Sequence, residues 1–184
     1  MTSTSRIQFD ELPDDLQTRL RARVQRLGYL GEFFQVGAHQ PVALAGFIDY
    51  TEALKDALPH RLVETIALTA ATATDNSYER VQHERLALTL GFSEAEVRAL
   101  VTPDGSLEAF SPAERAAGAL AREVCAARGA ACPAYGELET LVGEDVAVGC
   151  LMTAVRYLAH ATMANTWGLA PPVPSPLTGA APGG

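Results

Sequence analysis

Proline, glycine and capping signals divide the sequence into segments of helical periodicity, and no segment shows the strict alternation of a strand. The segments that fit a helix are residues 13–27, about 41–57, 59–73, 76–90, 94–101, 112–128, 133–142 and 144–166. Pro59 and Pro112 stand where a first helical turn accepts proline, and Gly91 follows a predicted helix end. The pattern predicts an all-α helical bundle of about seven to eight helices.

Two predicted helix starts carry a complete capping signal. Ser93 precedes Glu96 by three residues, and Ser111 precedes Glu114 by the same spacing. In such a capping box the hydroxyl and the carboxylate satisfy backbone amides that have no partner within the helix. We therefore expect helices to begin directly after both serines.

The chain of 184 residues suits one domain. We predict an N-terminal arm over residues 1–12 and a helical domain over residues 13–170. Residues 171–184 are rich in proline and glycine, and we expect them to form a flexible tail.

Charge and cysteine content exclude several classes of function. The formal net charge of -8 argues against nucleic acid and anionic membrane as partners, because both need a basic face. The N-terminal residues show no apolar signal core and no other run approaches the length of a membrane span, so we expect a cytoplasmic protein. Cys125, Cys132 and Cys150 lack the spacing of metal ligands, so no metal is expected and the three residues are predicted to be free thiols.

Glu64 is the only charged residue between Leu62 and Thr74, within an apolar helical segment. It lies beyond the first turn of this helix, too far along to act as a cap. A buried carboxylate without a partner is costly, so Glu64 needs a partner or a raised pKa. An arginine partner or an exposed edge would both be structural explanations.

The next predicted helix has a face that is polar at one end and apolar at the other. Asn76, Glu79, His83, Leu86 and Leu90 share this face by their alternating spacing. Such a face opens onto a pocket, a partner or water. A histidine beside carboxylates can transfer protons at neutral pH, although Glu79 and His83 could also form a simple surface pair.

Three further residues, Tyr78, Arg156 and His160, also stand out in the sequence. Tyr78 lies off this face and is either a hydrogen-bond donor to an oxyanion or a core aromatic residue. Arg156 and His160 lie four residues apart in an apolar helix. Arg156 could neutralise Glu64, bind a substrate carboxylate or form an ion pair at a subunit interface.

These residues together resemble a known family. The matching positions are Glu64, the segment Asp75-Asn76-Ser77-Tyr78-Glu79, His83, Ala87, Gly91-Phe92-Ser93 and Glu96. They are similar to the carboxymuconolactone decarboxylase family, also called alkylhydroperoxidase-like or AhpD-like, over about residues 55–101. The resemblance implies an all-α fold of the AhpD-like type and assembly into dimers, trimers or hexamers.

The resemblance also implies a choice between two chemistries. Peroxidase members use a Cys-x-x-Cys pair ahead of the histidine, and Asn76 and Glu79 occupy those two positions in this chain. Because a thiolate is needed to attack a peroxide, peroxidase activity is not expected. Decarboxylase members lack the pair and act on a lactone acid without metal or organic cofactor, and this sequence fits that branch better.

The sequence therefore predicts a cofactor-independent lyase or isomerase acting on a small carboxylic acid or lactone. His83 would transfer the proton, Glu64 would hold its tautomer, and Glu79 would raise its pKa or act as a second acid. Tyr78 and Asn76 would donate hydrogen bonds to the developing oxyanion, and Arg156 would bind the substrate carboxylate. The alternatives are a non-catalytic oligomeric protein that binds a small ligand, and a peroxidase that uses another thiol such as Cys132.

Overall fold

The computed structural model describes residues 4–127 and 129–178, and within these residues it contains nine α-helices and no strand. The helices are α1 (Asp14–Leu27), α2 (Glu32–Gly37), α3 (Pro41–Ala57), α4 (His60–Ala73), α5 (Ser77–Thr89), α6 (Glu94–Val101), α7 (Pro112–Ala127), α8 (Ala134–Val142) and α9 (Glu144–Trp167). Short 3-10 turns lie at Phe9–Glu11 and Pro176–Thr178. The prediction of an all-α helical bundle is confirmed.

The boundaries of the predicted helices agree with the structure to within one residue at the described positions. Arg128, the last residue of one predicted helix, lies outside the described residues. Helix α2 was not predicted, because it has only six residues and its N-cap, Gly31, makes no side-chain capping bond. Both capping boxes are confirmed by reciprocal bonds between each serine and the glutamate three residues later.

Helix α4 lies at the centre of the domain, and every residue from 62 to 71 along it is buried. It packs against α5, α6, α7 and α9. A helix surrounded on all sides must be apolar on all sides, which explains why its sequence carries so little charge. Glu64 is the exception, and its side chain is therefore placed in the interior rather than at an edge.

Helix α9 has the length and composition of a membrane-spanning helix, with a mean hydropathy of 1.3. The prediction that no run approaches this length was therefore wrong. The helix packs against α3, α4, α7 and α8 and buries Cys150, Ala154 and Tyr157 against them. Packing in the core explains the apolar residues on this buried face, whereas Val148, Met152 and Val155 on another face of α9 are exposed.

The described parts of the two chain ends pack on the helices. In the N-terminal arm the Ile7 N–H donates to the carbonyl of Gln35, and Leu12 is buried. Residues 171–178, which were predicted to be flexible, lie against α5 and α6. Arg85 donates a hydrogen bond to the Pro174 carbonyl at 2.9 Å, and Arg98 donates one to the Leu177 carbonyl at 3.0 Å. The rest of the predicted tail, residues 179–184, lies outside the described residues.

Candidate active site

A cavity of about 210 Å³ opens between α1, α2, α3, α5 and α9. Its wall includes Glu79 and His83 from α5 and Arg156, Tyr157 and His160 from α9. Most of the buried residues of α9 are apolar, so Arg156 and His160 stand out among them, and they meet the polar side chains of α5 at this wall. The predicted polar face of α5 therefore opens onto a pocket.

Glu64 lies behind this wall and forms a buried pair with His83, which belongs to the wall. The Glu64 Oε2 atom lies 2.7 Å from His83 Nδ1, and the two residues are 2% and 8% exposed. The partner that the sequence required for Glu64 is thus a histidine, neither an arginine nor solvent. The hydrogen bond fixes the ring and leaves Nε2 as the nitrogen of His83 directed away from Glu64.

Glu79 connects this pair to helix α9. Its Oε2 atom lies 2.7 Å from His160 Nδ1, 3.5 Å from Arg156 Nη1 and 3.6 Å from His83 Nε2. Glu79 is buried, so a solvated surface pair with His83 is excluded. The carboxylate instead lies between two imidazoles and a guanidinium.

The surroundings of the two histidines move their pKa values in opposite directions. Burial alone would lower the pKa of His83, but the carboxylates of Glu64 and Glu79 outweigh it and raise the pKa to about 9. Burial lowers the pKa of His160 to about 4, and Arg156 opposes the attraction of Glu79. Burial would raise the pKa of Glu79, but the two histidines hold it well below its usual value. These directions favour a protonated His83, an ionised Glu79 and a neutral His160 at neutral pH.

Arg156 is held by contacts on several sides. Its Nε donates to Thr51 Oγ1 at 2.9 Å, and its guanidinium lies 4.4 Å from the ring centroid of Tyr157. It contacts Glu79 and not Glu64, so the predicted pairing with Glu64 is not formed. Its place in the cavity wall is the one expected of a carboxylate-binding residue.

Asn76 is not brought to the cavity wall. It is the N-cap of α5, and its Oδ1 accepts the Glu79 backbone N–H at 3.0 Å. The side chain is 1% exposed. Its direct effect is on the first turn of α5, which carries Glu79, because asparagine satisfies an amide that has no helical partner there.

Two tyrosines approach the cavity in different ways. The Tyr78 hydroxyl accepts the Phe33 backbone N–H at 3.1 Å, and burial raises its pKa. The Tyr157 hydroxyl is buried and has no hydrogen-bond partner among the described residues, and its ring meets the His83 ring edge-on at 5.1 Å. Sequence reasoning missed Tyr157, since an aromatic residue in an apolar helix gives no signal of function.

Sequence reasoning also assigned no role to His160. Its only signal was the spacing of four from Arg156, which places both side chains on one face of α9. The contact that defines its role, with Glu79, joins residues that are far apart in the chain. The ring packs against Phe33 with centroids 3.8 Å apart, which holds its orientation.

Basic side chains line the outer part of the cavity although the protein as a whole is acidic. They are Arg23, Arg26, Arg85 and Lys55, the last being the only lysine in the sequence. Burial, with the charges of Arg23 and Arg156 adding to it, lowers the pKa of Lys55 despite the opposing carboxylate of Glu52. A cationic lining favours an anionic ligand.

The cysteines do not contribute to this site. All three are free thiols, as predicted, and none belongs to the cavity wall formed by the described residues. Burial raises the pKa of Cys125 and Cys150 to about 11, which suppresses the reactive thiolate. Within residues 4–127 and 129–178, no group of three or more His, Cys, Asp or Glu side chains is arranged to hold a metal ion.

Fold and site together define a helical protein with a buried carboxylate–imidazole cluster facing a cavity. Residues 41–123 match the carboxymuconolactone decarboxylase family. The matched segment runs from the start of α3 into α7, and it supports the resemblance drawn from the sequence. No curated protein sequence matches the chain.

Solved structures share the fold. An AhpD-core, peroxidase-related protein from Ralstonia eutropha JMP134 is similar with a TM-score of 0.77 and 22% identity, over 93% of this chain and 94% of that one. The debrominase Bmp8, as a cysteine-to-alanine variant in complex with 2,3,4-tribromopyrrole, is similar with a TM-score of 0.71 and 20% identity, over 91% and 88% of the two chains. Bmp8 in its apo form gives a TM-score of 0.69 and 23% identity, over 91% and 89%. The AhpD-like fold type is thereby confirmed.

Proposed function

We propose that this protein is a cofactor-independent lyase of the carboxymuconolactone decarboxylase type, acting on a small carboxylic acid or lactone. The observation that carries the proposal is the buried chain of contacts Glu64–His83–Glu79 at the wall of a cavity that also holds Arg156. Buried, mutually oriented acid–base groups with displaced pKa values are typical of catalytic sites.

The contacts support a division of roles. Arg156 binds a substrate carboxylate, since it lies in the cavity wall with its guanidinium fixed by Thr51. Loss of carbon dioxide breaks a carbon–carbon bond and leaves its electron pair in an enolate. His83, protonated at neutral pH, delivers a proton to the enolate carbon from Nε2, while Glu64 retains the hydrogen bond to Nδ1.

The enolate oxygen needs a hydrogen-bond donor in the cavity wall. Tyr157 suits this role because its buried hydroxyl has no partner among the described residues. The Tyr78 hydroxyl accepts a hydrogen bond from the Phe33 backbone N–H and still has its own proton to donate, so it is a second candidate donor to the enolate oxygen. Asn76 lies behind the wall and supports Glu79 rather than the substrate.

Peroxidase chemistry is not part of the proposal. The positions of the redox cysteines in peroxidase members are Asn76 and Glu79, and in this structure Glu79 is engaged with two histidines and Arg156. A carboxylate cannot form the disulfide on which that chemistry depends.

We also propose that the chain forms homo-oligomers in the cytoplasm. Val148, Met152 and Val155 lie on one face of α9 and are 40 to 49% exposed. Such an apolar stripe suits contact with a second copy of the same helix. Val155→Glu is expected to lower the mass measured by light scattering, and an unchanged mass would exclude this face.

The test of function is release of carbon dioxide from carboxymuconolactone by the purified protein. His83→Asn keeps a donor near Nδ1 for Glu64 and removes Nε2, and we expect it to lower turnover by roughly 100- to 10,000-fold. His60→Asn, at an exposed position at the start of α4, is the matched control and should retain full activity. A folded His83→Asn variant within about threefold of wild type would exclude His83 as the proton donor.

A further inference from the structure

His160 holds the one imidazole nitrogen of the cluster that has neither a carboxylate nor a hydrogen-bond partner among the described residues. Both nitrogens of His83 face carboxylates, at 2.7 Å and 3.6 Å. In His160 only Nδ1 faces a carboxylate, at 2.7 Å from Glu79 Oε2 but without hydrogen-bond geometry, while Nε2 is buried with neither a carboxylate nor a hydrogen-bond partner among the described residues. A buried ring nitrogen that is left unpaired at a cavity wall is available to a ligand.

The charges of the cluster explain why this nitrogen is a base. The two carboxylates, Glu64 and Glu79, are matched by two cations, Arg156 and the His83 imidazolium. A third cation would be uncompensated in a buried place, which favours a neutral His160 once His83, between two carboxylates, carries the charge. The surroundings of the His160 ring also disfavour a positive charge, because they supply one carboxylate, one guanidinium and otherwise aromatic rings. These neighbours are Phe33 from α2, Phe47 from α3, Tyr78 and Glu79 from α5, and Arg156 one turn away on α9.

We propose that His160 is the proton acceptor of this site, so that the protein also catalyses a proton shift within an unsaturated lactone. The proposal rests on the acid–base function assigned above, and it adds the removal of a proton to the delivery of one. Decarboxylation needs only a donor, whereas this cluster holds a donor and an acceptor side by side.

The reaction balances without an oxidant or a cofactor. His160 Nε2 takes the proton from the carbon next to the lactone carbonyl, and the electron pair moves into a dienolate. His83 Nε2 gives a proton to the γ-carbon, which completes the new carbon–hydrogen bond. After the product leaves, His160 Nε2 loses its proton to water that enters the cavity, and His83 Nε2 takes a proton up from water. His160 keeps its Nδ1 proton beside Glu79, 2.7 Å away, throughout, so the starting tautomer and charges are restored.

The probe is α-angelica lactone, a β,γ-unsaturated lactone whose conversion to the α,β-unsaturated isomer is followed by proton NMR. His160→Asn keeps an amide donor near Nδ1 for Glu79 and removes only Nε2. We expect it to lose isomerisation by about 100-fold or more, while it still releases carbon dioxide from carboxymuconolactone. His60→Asn should retain both activities.

The outcomes separate the two proposals. A wild-type protein that isomerises the lactone through His160 but releases no carbon dioxide supports this inference and refutes the lyase. A wild-type protein that releases carbon dioxide without isomerising the lactone refutes this inference and leaves the lyase standing. A His160→Asn variant within about threefold of wild type in isomerisation also refutes it.

A second measurement needs no substrate. In protein labelled with ¹⁵N-histidine, the ring nitrogen shifts at neutral pH should show an imidazolium for His83 and a neutral ring for His160, assigned with the two asparagine variants. A charged His160 ring would overturn the proposal, because a nitrogen that already carries a proton cannot accept another.

Discussion

Replacing Glu64 by glutamine removes the charge nearest to His83, and the effect can be followed through the pH dependence of folding stability. The pKa of His83 is raised from 6.5 to about 9 in the folded protein, against burial, by Glu64 and Glu79. Because the folded state holds this proton more tightly, its contribution to stability is complete below pH 6.5. The contribution is lost as the pH rises towards 9.

The size of the effect follows from the difference in pKa. Each pKa unit corresponds to about 1.4 kcal/mol, so the protonation of His83 contributes about 3 kcal/mol to the free energy of unfolding. Glutamine can still accept the hydrogen bond from Nδ1 but carries no charge, which leaves Glu79 at 3.6 Å as the remaining carboxylate. We therefore expect Glu64→Gln to lose under about 1.5 kcal/mol over the same pH range.

The assay is urea denaturation at several pH values between 6.5 and about 9, with the free energy of unfolding extrapolated to water. His160, whose pKa is lowered from 6.5 to about 4 by folding, binds a proton only in the unfolded chain near pH 6.5, so it adds a slope of opposite sign at the lower end of this window. Wild type and Glu64→Gln share that contribution, so the difference between their slopes reports on His83. Glu108→Gln, at an exposed position, is the matched control and should keep the wild-type slope. Equal slopes for wild type and Glu64→Gln would refute the charge coupling between Glu64 and His83.

Other variants test the supporting residues. Asn76→Ala removes the cap of α5 and should lower the free energy of unfolding, measured by urea denaturation, by about 1 kcal/mol. An unchanged free energy of unfolding would show that the cap is dispensable. Arg156→Met should raise KM for carboxymuconolactone by about 10-fold or more with a smaller change in kcat, whereas the reverse pattern would exclude it as the carboxylate-binding residue. Tyr157→Phe should lower kcat by about 10-fold or more without loss of stability, since its hydroxyl has no partner among the described residues, and wild-type turnover would exclude it as the oxyanion donor.

The helices could be predicted because their boundaries are determined locally. The signals that begin and end these helices act within a few residues, so the local sequence is enough to place each boundary. They are proline in a first turn, the serine–glutamate capping boxes, and Gly91, whose φ is +89°. Helix α2 lacks such signals. Its place depends on Phe33 and Phe34 packing into the core, which only the tertiary structure shows.

The site could be predicted in part, for a related reason. Glu64, Glu79 and His83 stood out because a polar residue on an apolar face needs an explanation. The contact of His160 with Glu79 depends on how α9 crosses α5, and no periodicity encodes that crossing. Asn76 was assigned to the substrate although asparagine before a helix is a common N-cap, so in that case a local signal was available and was overlooked.

The segment of residues 171–178, which we call the strap, contributes to the cavity wall but not to the proposed acid–base groups. Val173, within the strap, forms part of the cavity wall, whereas the proton-transferring groups all belong to helices. The strap is held through carbonyl groups by Arg85 and Arg98 and through Ser175 by Glu84, and none of these bonds involves Glu64, Glu79 or His83. We therefore expect that exchanging this short peptide changes which ligands the cavity accepts, while the proposed catalytic groups and the helices that carry them are left unchanged.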